Sequence, residues 1–302
     1  MPSTESDALR AHFQSMSDRM AANPEMDLVT LRSMLEELGL RAAEPTDVTY
    51  EEVDAGGRPA LWCNPIGAAE DRSSSPHGGG FVSNTMHSHR KLAAHLAKAA
   101  GVRALVLDYR LAPEDPYPAQ LDDAVAAYHW LLDGGVAPAH VATAGDSAGG
   151  NLATALVLKL RDESVPLPAA IVALSPWYDM ECNGKTLETN AGTDALVQRG
   201  VVESMAAMFL GESGSPTDPL ANPLHADPTG LPPIYLTAGT HEALQDNAER
   251  FADIARNADV DVTIELSEGM QHVYPFMAGR APEADATIAK VGEWLRPKLG
   301  LA

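Results

Sequence analysis

Residues 143–151 read Thr143-Ala144-Gly145-Asp146-Ser147-Ala148-Gly149-Gly150-Asn151, between a strand-like run and a helix-like run. Gly145-Asp146-Ser147-Ala148-Gly149 fits G-x-S-x-G, the pattern of a nucleophile elbow. Such a serine rides a tight strand-to-helix turn that projects its hydroxyl away from the backbone. Neighbouring backbone crowds the turn, so a side chain at 145 or 149 would clash, and glycine at both is a steric requirement. Before the turn, 139–144 is a short run carrying Val141 and Thr143; after it, 151–160 combines helix formers with an apolar repeat. Taken alone, the pentapeptide also describes an ordinary glycine-rich turn. The flanking sequence decides between the two.

Upstream lies His77-Gly78-Gly79-Gly80-Phe81. Three consecutive glycines let backbone N–H groups approach a ligand oxygen without obstruction. In acyl transfer that oxygen becomes an oxyanion, and losing one preorganised donor costs roughly 3 kcal/mol of barrier lowering. Alone, the same glycines read as a flexible linker after Ser73-Ser74-Ser75-Pro76. Downstream, Gly269-Met270-Gln271-His272-Val273-Tyr274-Pro275 follows the alternating strand-like run 260–266, so His272 falls on a loop after a strand. Earlier still, the apolar run 234–239 leads into Thr240-His241-Glu242-Ala243-Leu244-Gln245-Asp246. A serine needs a base and the base an orienting carboxylate. A carboxylate on this loop gives the chain order Ser, acid, His of the α/β-hydrolases.

Five motifs in order carry a resemblance. They are His77-Gly78-Gly79-Gly80-Phe81, Asp108-Tyr109-Arg110-Leu111-Ala112-Pro113-Glu114, Gly145-Asp146-Ser147-Ala148-Gly149-Gly150, Leu174-Ser175-Pro176-Trp177 and Gly269-Met270-Gln271-His272-Val273. Over about residues 76–275 the chain resembles the hormone-sensitive-lipase-like (bacterial family IV) esterases of the α/β-hydrolase superfamily. The resemblance implies a serine carboxylesterase without cofactor, often favouring short acyl chains, with a helical cap over the site. It makes Ser147 the nucleophile and His272 the general base, and gives the oxyanion to the N–H groups of Gly79, Gly80 and Ala148. The family pattern at the acid is Asp-x-Leu-x-Asp; here Glu242-Ala243-Leu244-Gln245-Asp246 stands in its place. Glu242 is assigned as the acid, and Asp246, which also reads as a helix-start carboxylate, is its rival. His241 reads as a rim residue. His77, like the cluster Asp108-Tyr109-Arg110, reads as support for neighbouring loops. Asp146 reads as bonding within its own loop.

The expected substrate is a short- to medium-chain carboxylic ester. Lactone or carbamate/amide hydrolysis on the same triad is the alternative, and a non-catalytic small-molecule-binding homologue a further one. Resemblance alone suggests a homodimer paired through the edge of the last strand.

One departure stands before the glycines. A parallel strand there is ordinarily buried on both faces and apolar, yet Asp71-Arg72-Ser73-Ser74-Ser75-Pro76 is poor strand material. The strand is expected to be short and irregular, or built from other residues.

The chain of 302 residues suffices for one large α/β domain. Its net charge is −21, from 42 acidic and 21 basic residues. That excess argues against nucleic acid or an anionic membrane as partner and favours solubility. Cys63 and Cys182 follow no metal spacing and need not pair, so a reducing cytoplasm is the default. His87-Ser88-His89 lacks the spacing of a metal site. No leader is evident, and no apolar run approaches the roughly 20 residues of a membrane span.

Strand-like runs at 102–108, 141–144, 169–174, 234–238 and 260–266 alternate with helix-like runs near 85–100, 118–133, 147–162, 243–257 and 282–298. The first strands are expected within 46–63. The rhythm predicts a mostly parallel sheet with helices on both faces, an α/β-hydrolase fold. The predicted organisation is an N-terminal helical cap segment 1–45, the first part of the catalytic domain 46–179, a second cap segment 180–226, and the remainder of the catalytic domain 227–302. In the second cap segment Met205, Met208, Phe209 and Leu210 would line an acyl pocket or pack the cap on the core.

Overall fold

The computed structural model describes residues 2–75 and 79–302, with the side chains of 70–75 excepted. His77 and Gly78 of the glycine motif, and Pro76 before them, lie outside the described residues. Two N-terminal helices, α1 (Thr4–Ala22) and α2 (Leu28–Leu35), precede an antiparallel pair, β1 (Val48–Asp54) and β2 (Pro59–Pro65). Strands and helices then alternate: β3 (Ala69–Ser75), α3 (Met86–Ala100), β4 (Val102–Leu107), α4 (Ala119–Asp133), β5 (Val141–Asp146), α5 (Ala148–Asp162) and β6 (Ala170–Leu174). Helices α6 (Thr186–Thr189) and α7 (Arg199–Leu210) interrupt that rhythm, which resumes with β7 (Ile234–Gly239), α8 (Gln245–Asn257), β8 (Val262–Ser267) and α9 (Pro282–Lys298).

Among the described residues the strands form one sheet of eight, ordered β1-β2-β4-β3-β5-β6-β7-β8. The β1–β2 and β2–β4 pairs are antiparallel; all pairs from β4 to β8 are parallel. Parallel strands covered on both faces should be apolar throughout, and β6 is buried at all five positions. Ala170, Val172 and Leu174 join a cluster with Leu92 and Leu96 of α3 and Val291 and Leu295 of α9. Ile171 and Ala173, on the opposite face, join Leu158 of α5 and Phe251 and Ala252 of α8.

The polar strand is present, central and irregular. β3 lies between β4 and β5. Its pairing with β4 jumps from Ala69↔Val102 to Ser73↔Arg103, so residues 70–72 have no counterpart on β4. Pairing with β5 is regular over Ser73, Ser74 and Ser75. Flanking ladders hold the backbone in place despite weak intrinsic preference, as tertiary context does for strands generally.

The N-terminal helices and the 180–226 segment lie on one another and on the sheet's carboxyl end. Ser3 donates to Glu283 of α9, tying down the start of α1. Arg32 of α2 donates to the carbonyls of Val82 and Ala112 and pairs with Glu114. Phe209 of α7 stacks on Phe81 with ring centroids 3.9 Å apart, which fixes α7 over the glycine loop. No helix among the described residues is long and apolar enough to cross a membrane.

Candidate active site

β5 runs directly into α5 through Ser147, whose backbone has φ 52° and ψ −120°. A non-glycine residue in that region is strained, and strain of this kind concentrates at functional sites. A Cβ at Gly145 would run into the carbonyl of Gly149, so the first glycine of the motif is required by close approach. The N–H of Ser147 is held by Leu174 O at 2.9 Å, and Ser147 O accepts from Trp177 N at 3.0 Å. The elbow is thus fastened to the end of β6 on the next strand.

Two loops bring the other groups to it. His272, on the loop after β8, places Nε2 3.0 Å from Ser147 Oγ. Glu242, on the loop after β7, places Oε2 3.2 Å from His272 Nδ1. The two contacts set Nδ1 against the carboxylate and Nε2 against the serine hydroxyl. Glu242 is fully buried and His272 nearly so. Burial pushes the Glu242 carboxyl above its usual range, opposed by its hydrogen bond with His272. Burial alone would lower the His272 pKa, but Glu242, with Asp194 and Asp146 farther out, outweighs it and holds the imidazole above its ordinary value.

Asp246 goes elsewhere. It sits in the first turn of α8 and accepts from Thr186 N at 3.2 Å and Asn247 Nδ2 at 3.1 Å. His241 is partly exposed beside Glu242, with its N–H on Met270 O.

Gly79 and Gly80 line the same cavity as Ser147 and His272. Both have positive φ, 125° and 62°, and a Cβ on Gly80 would stand 2.8 Å from Met205 Sδ. The Gly79 carbonyl accepts from Ser83 N and Ser83 Oγ, which turns the loop back on itself. Ala148 is buried at the first position of α5, where its N–H has no carbonyl one turn behind to bond. The cavity holds about 90 Å³ and is lined on its far side by Phe13 and Met16 of α1, Leu38, and Val202 and Met205 of α7. Of the four apolar residues singled out at 205–210, Met205 lines this space; Phe209 and Leu210 pack in the core.

Asp146 reaches beyond its own loop: its Oδ1 lies 3.3 Å from Nε2 of the buried His89 on α3. Asp108 accepts from Met86 N, and Arg110 is clamped by Asp123. Among the described residues no cluster of three or more His, Cys, Asp or Glu could hold a metal ion.

Sequence reasoning missed the polar residues of 190–198 that hold the acid and base loops. Asn190 Nδ2 donates to Glu242 O at 2.9 Å. Asp194 accepts from Ala243 N at 2.7 Å. Gln271, next to His272, bridges Thr193 O and Ala195 N. The available signal was a carboxylate just ahead of an apolar helical run, which marks a turn or cap.

A family model described as alpha/beta hydrolase fold matches residues 75–276. An acetyl-hydrolase of Streptomyces hygroscopicus is 38% identical over 265 residues, 88% of this chain and 87% of that one. An esterase of Acinetobacter venetianus is 34% identical over 218 residues, 72% of each chain. A crystal structure of an esterase from the bacterial hormone-sensitive lipase family superposes with a TM-score of 0.94 at 41% identity, covering 99% of this chain and 100% of that one.

Proposed function

Since the chain belongs to the α/β-hydrolase fold family, among the esterases of the bacterial hormone-sensitive-lipase type, we propose that it is a serine carboxylesterase acting on short- to medium-chain carboxylic esters through an acyl-enzyme on Ser147. The observation that carries this reading is the chain of contacts Ser147 Oγ, His272 Nε2, His272 Nδ1, Glu242 Oε2 at 3.0 and 3.2 Å.

Neutral His272 takes the Ser147 proton as Oγ attacks the ester carbonyl carbon. Glu242 fixes the ring and stabilises the imidazolium that forms. The carbonyl oxygen, now an oxyanion, is met by the N–H groups of Gly79, Gly80 and Ala148. The tetrahedral centre collapses, the alkoxide leaves with the proton from His272, and the acyl group remains on Ser147. Water, deprotonated by His272, attacks the acyl-enzyme and releases the acid. No step calls on a cofactor.

Residues 1–45 and 180–226 serve as the two cap segments over a catalytic domain made of 46–179 and 227–302. The partly open cavity lined by both segments is small, about 90 Å³, which favours a short acyl chain. Two buried free cysteines suit a reducing cytoplasm. The outer edge of β8 at the end of the sheet suits pairing with a second copy.

A fluorophosphonate probe tests the reading, because only an activated serine displaces fluoride from it. One equivalent on Ser147 in the wild type and none in Ser147→Ala is expected. Labelling that persists in Ser147→Ala would overturn the assignment.

A further inference from the structure

Asp194 is neither the nucleophile, the base nor the acid, yet its carboxylate is buried near the base and the acid. Its residue is only 4% exposed. Oδ1 accepts from Leu196 N at 2.8 Å and Val197 N at 2.7 Å; Oδ2 accepts from Ala243 N at 2.7 Å. All three contacts come from backbone N–H donors, the pattern of an ionised carboxylate. Ala243 directly follows Glu242, so Oδ2 grips the peptide next to the acid. The same segment grips its surroundings elsewhere: Asn190 Nδ2 on Glu242 O, Thr193 Oγ1 on His241 O at 3.2 Å, and Gln271 from the base loop on Thr193 and Ala195. Ser17 of α1 donates to Ala195 O at 2.6 Å. Leu196 and Val197, whose N–H groups Asp194 holds, line the cavity with Val201, Val202 and Met205.

Resting on the esterase reading above, we propose that Asp194 is a positioning residue, a second buried carboxylate on the cap segment that seats Glu242 against His272 and adds negative charge behind the base. The mechanical part follows from the grip on Ala243 N–H. That bond, together with Asn190 Nδ2 on Glu242 O, fixes the backbone from which the Glu242 side chain reaches His272.

The electrostatic part follows from placement. The charged groups facing His272 are Glu242 from the acid loop, Asp194 from the cap segment and Asp146 from the elbow, the last facing His89 of α3. All three carboxylates favour the imidazolium. Burial pushes the Asp194 carboxyl above its usual range, and His272 together with the three N–H donors pulls it back. Removing the Asp194 charge therefore lowers the His272 pKa. Because the neutral imidazole is the working base, the acidic limb of the pH profile then moves to lower pH.

The test is the pH profile of kcat/KM for p-nitrophenyl butyrate with Asp194→Asn, which keeps the shape, removes the charge, and sets an amide N–H against the Ala243 N–H. A kcat loss of about 10- to 100-fold at little change in KM is expected, with the acidic limb moved down by at least about half a pH unit. Asp194→Ser, which keeps an oxygen for the Leu196 and Val197 N–H groups without charge, carries the same readout should Asp194→Asn fail to fold. Thr193→Val, which loses the Oγ1 contacts to Asn190 O and His241 O and leaves the Asp194 charge in place, should lower the melting temperature and leave the limb in place. A limb unmoved in both Asp194 variants overturns the proposal and leaves Asp194 a loop cap. Absence of Ser147-dependent turnover in the wild type would instead sink the esterase reading on which it rests.

Discussion

Glu242 occupies a position where the resemblance leads to aspartate, and its longer side chain still reaches His272 Nδ1 at 3.2 Å. Asp246, four residues on, is engaged with Thr186 and Asn247 at the start of α8. The two carboxylates therefore make opposite predictions. Glu242→Ala should cost about 10³- to 10⁴-fold in kcat, the range seen when an orienting acid is lost. Asp246→Ala should cost less than about fivefold in rate and show chiefly as lost stability. Steady-state rates on one ester settle it, and the reverse order would move the acid to Asp246. The acidic limb adds a second check. Glu242 holds the His272 pKa up, so Glu242→Gln should shift the limb to lower pH while it slows the reaction. Ser147 and His272 were legible in the sequence because each lies in a short motif on a loop next to a strand. Asp194 and Asn190 were not, since each acts through backbone groups some 50 residues away, a distance no local pattern encodes.

At the scale of elements, the alternation of apolar runs located the strands, since β5, β6 and β7 are buried throughout and β4 at all but one position; β8, at the sheet's end, is partly exposed and alternates instead. β3 is the exception. Its sequence argued against a central strand, and the fold places one there, with a register jump opposite Val102 and Arg103. The neighbours supply what the strand's own residues do not: ladders from β4 and β5 on both edges. Local propensity and tertiary context disagree at this point, and such conflicts cost stability. Ser74→Val, which raises strand preference without touching the loops, should raise the melting temperature by about 2–4 °C, as expected for roughly 1 kcal/mol in a chain of this size. A thermal melt of the two proteins measures it. A lower melting temperature would mean that the irregular strand depends on serine. β3 leads into the glycine loop, so its order bears on how well the oxyanion donors are preorganised.

Over the whole molecule, two parts of the chain far apart in sequence close the cavity. Phe13 and Met16 come from α1, and Val202 and Met205 from α7. A helical reading of 1–45 does not show which side chains the segment sets over the cavity, because a helix's partner is fixed by topology and not by its own periodicity. Likewise the hydrogen bonds from residues 190–195 to the loops that carry Glu242 and His272 emerged only from the fold. The −21 net charge leaves the site's chemistry unaddressed; it bears on solubility and on which partners are repelled. The central claim is that Ser147 hydrolyses esters within a small apolar pocket. The most direct measurement is the rate on p-nitrophenyl acetate, butyrate, octanoate and laurate for wild type and Ser147→Ala, with folding of both checked by circular dichroism. The account predicts a maximum at acetate or butyrate and a loss of at least about a thousandfold in Ser147→Ala with the fold retained. Turnover that survives in Ser147→Ala, or a wild type whose rate rises to laurate, would contradict it.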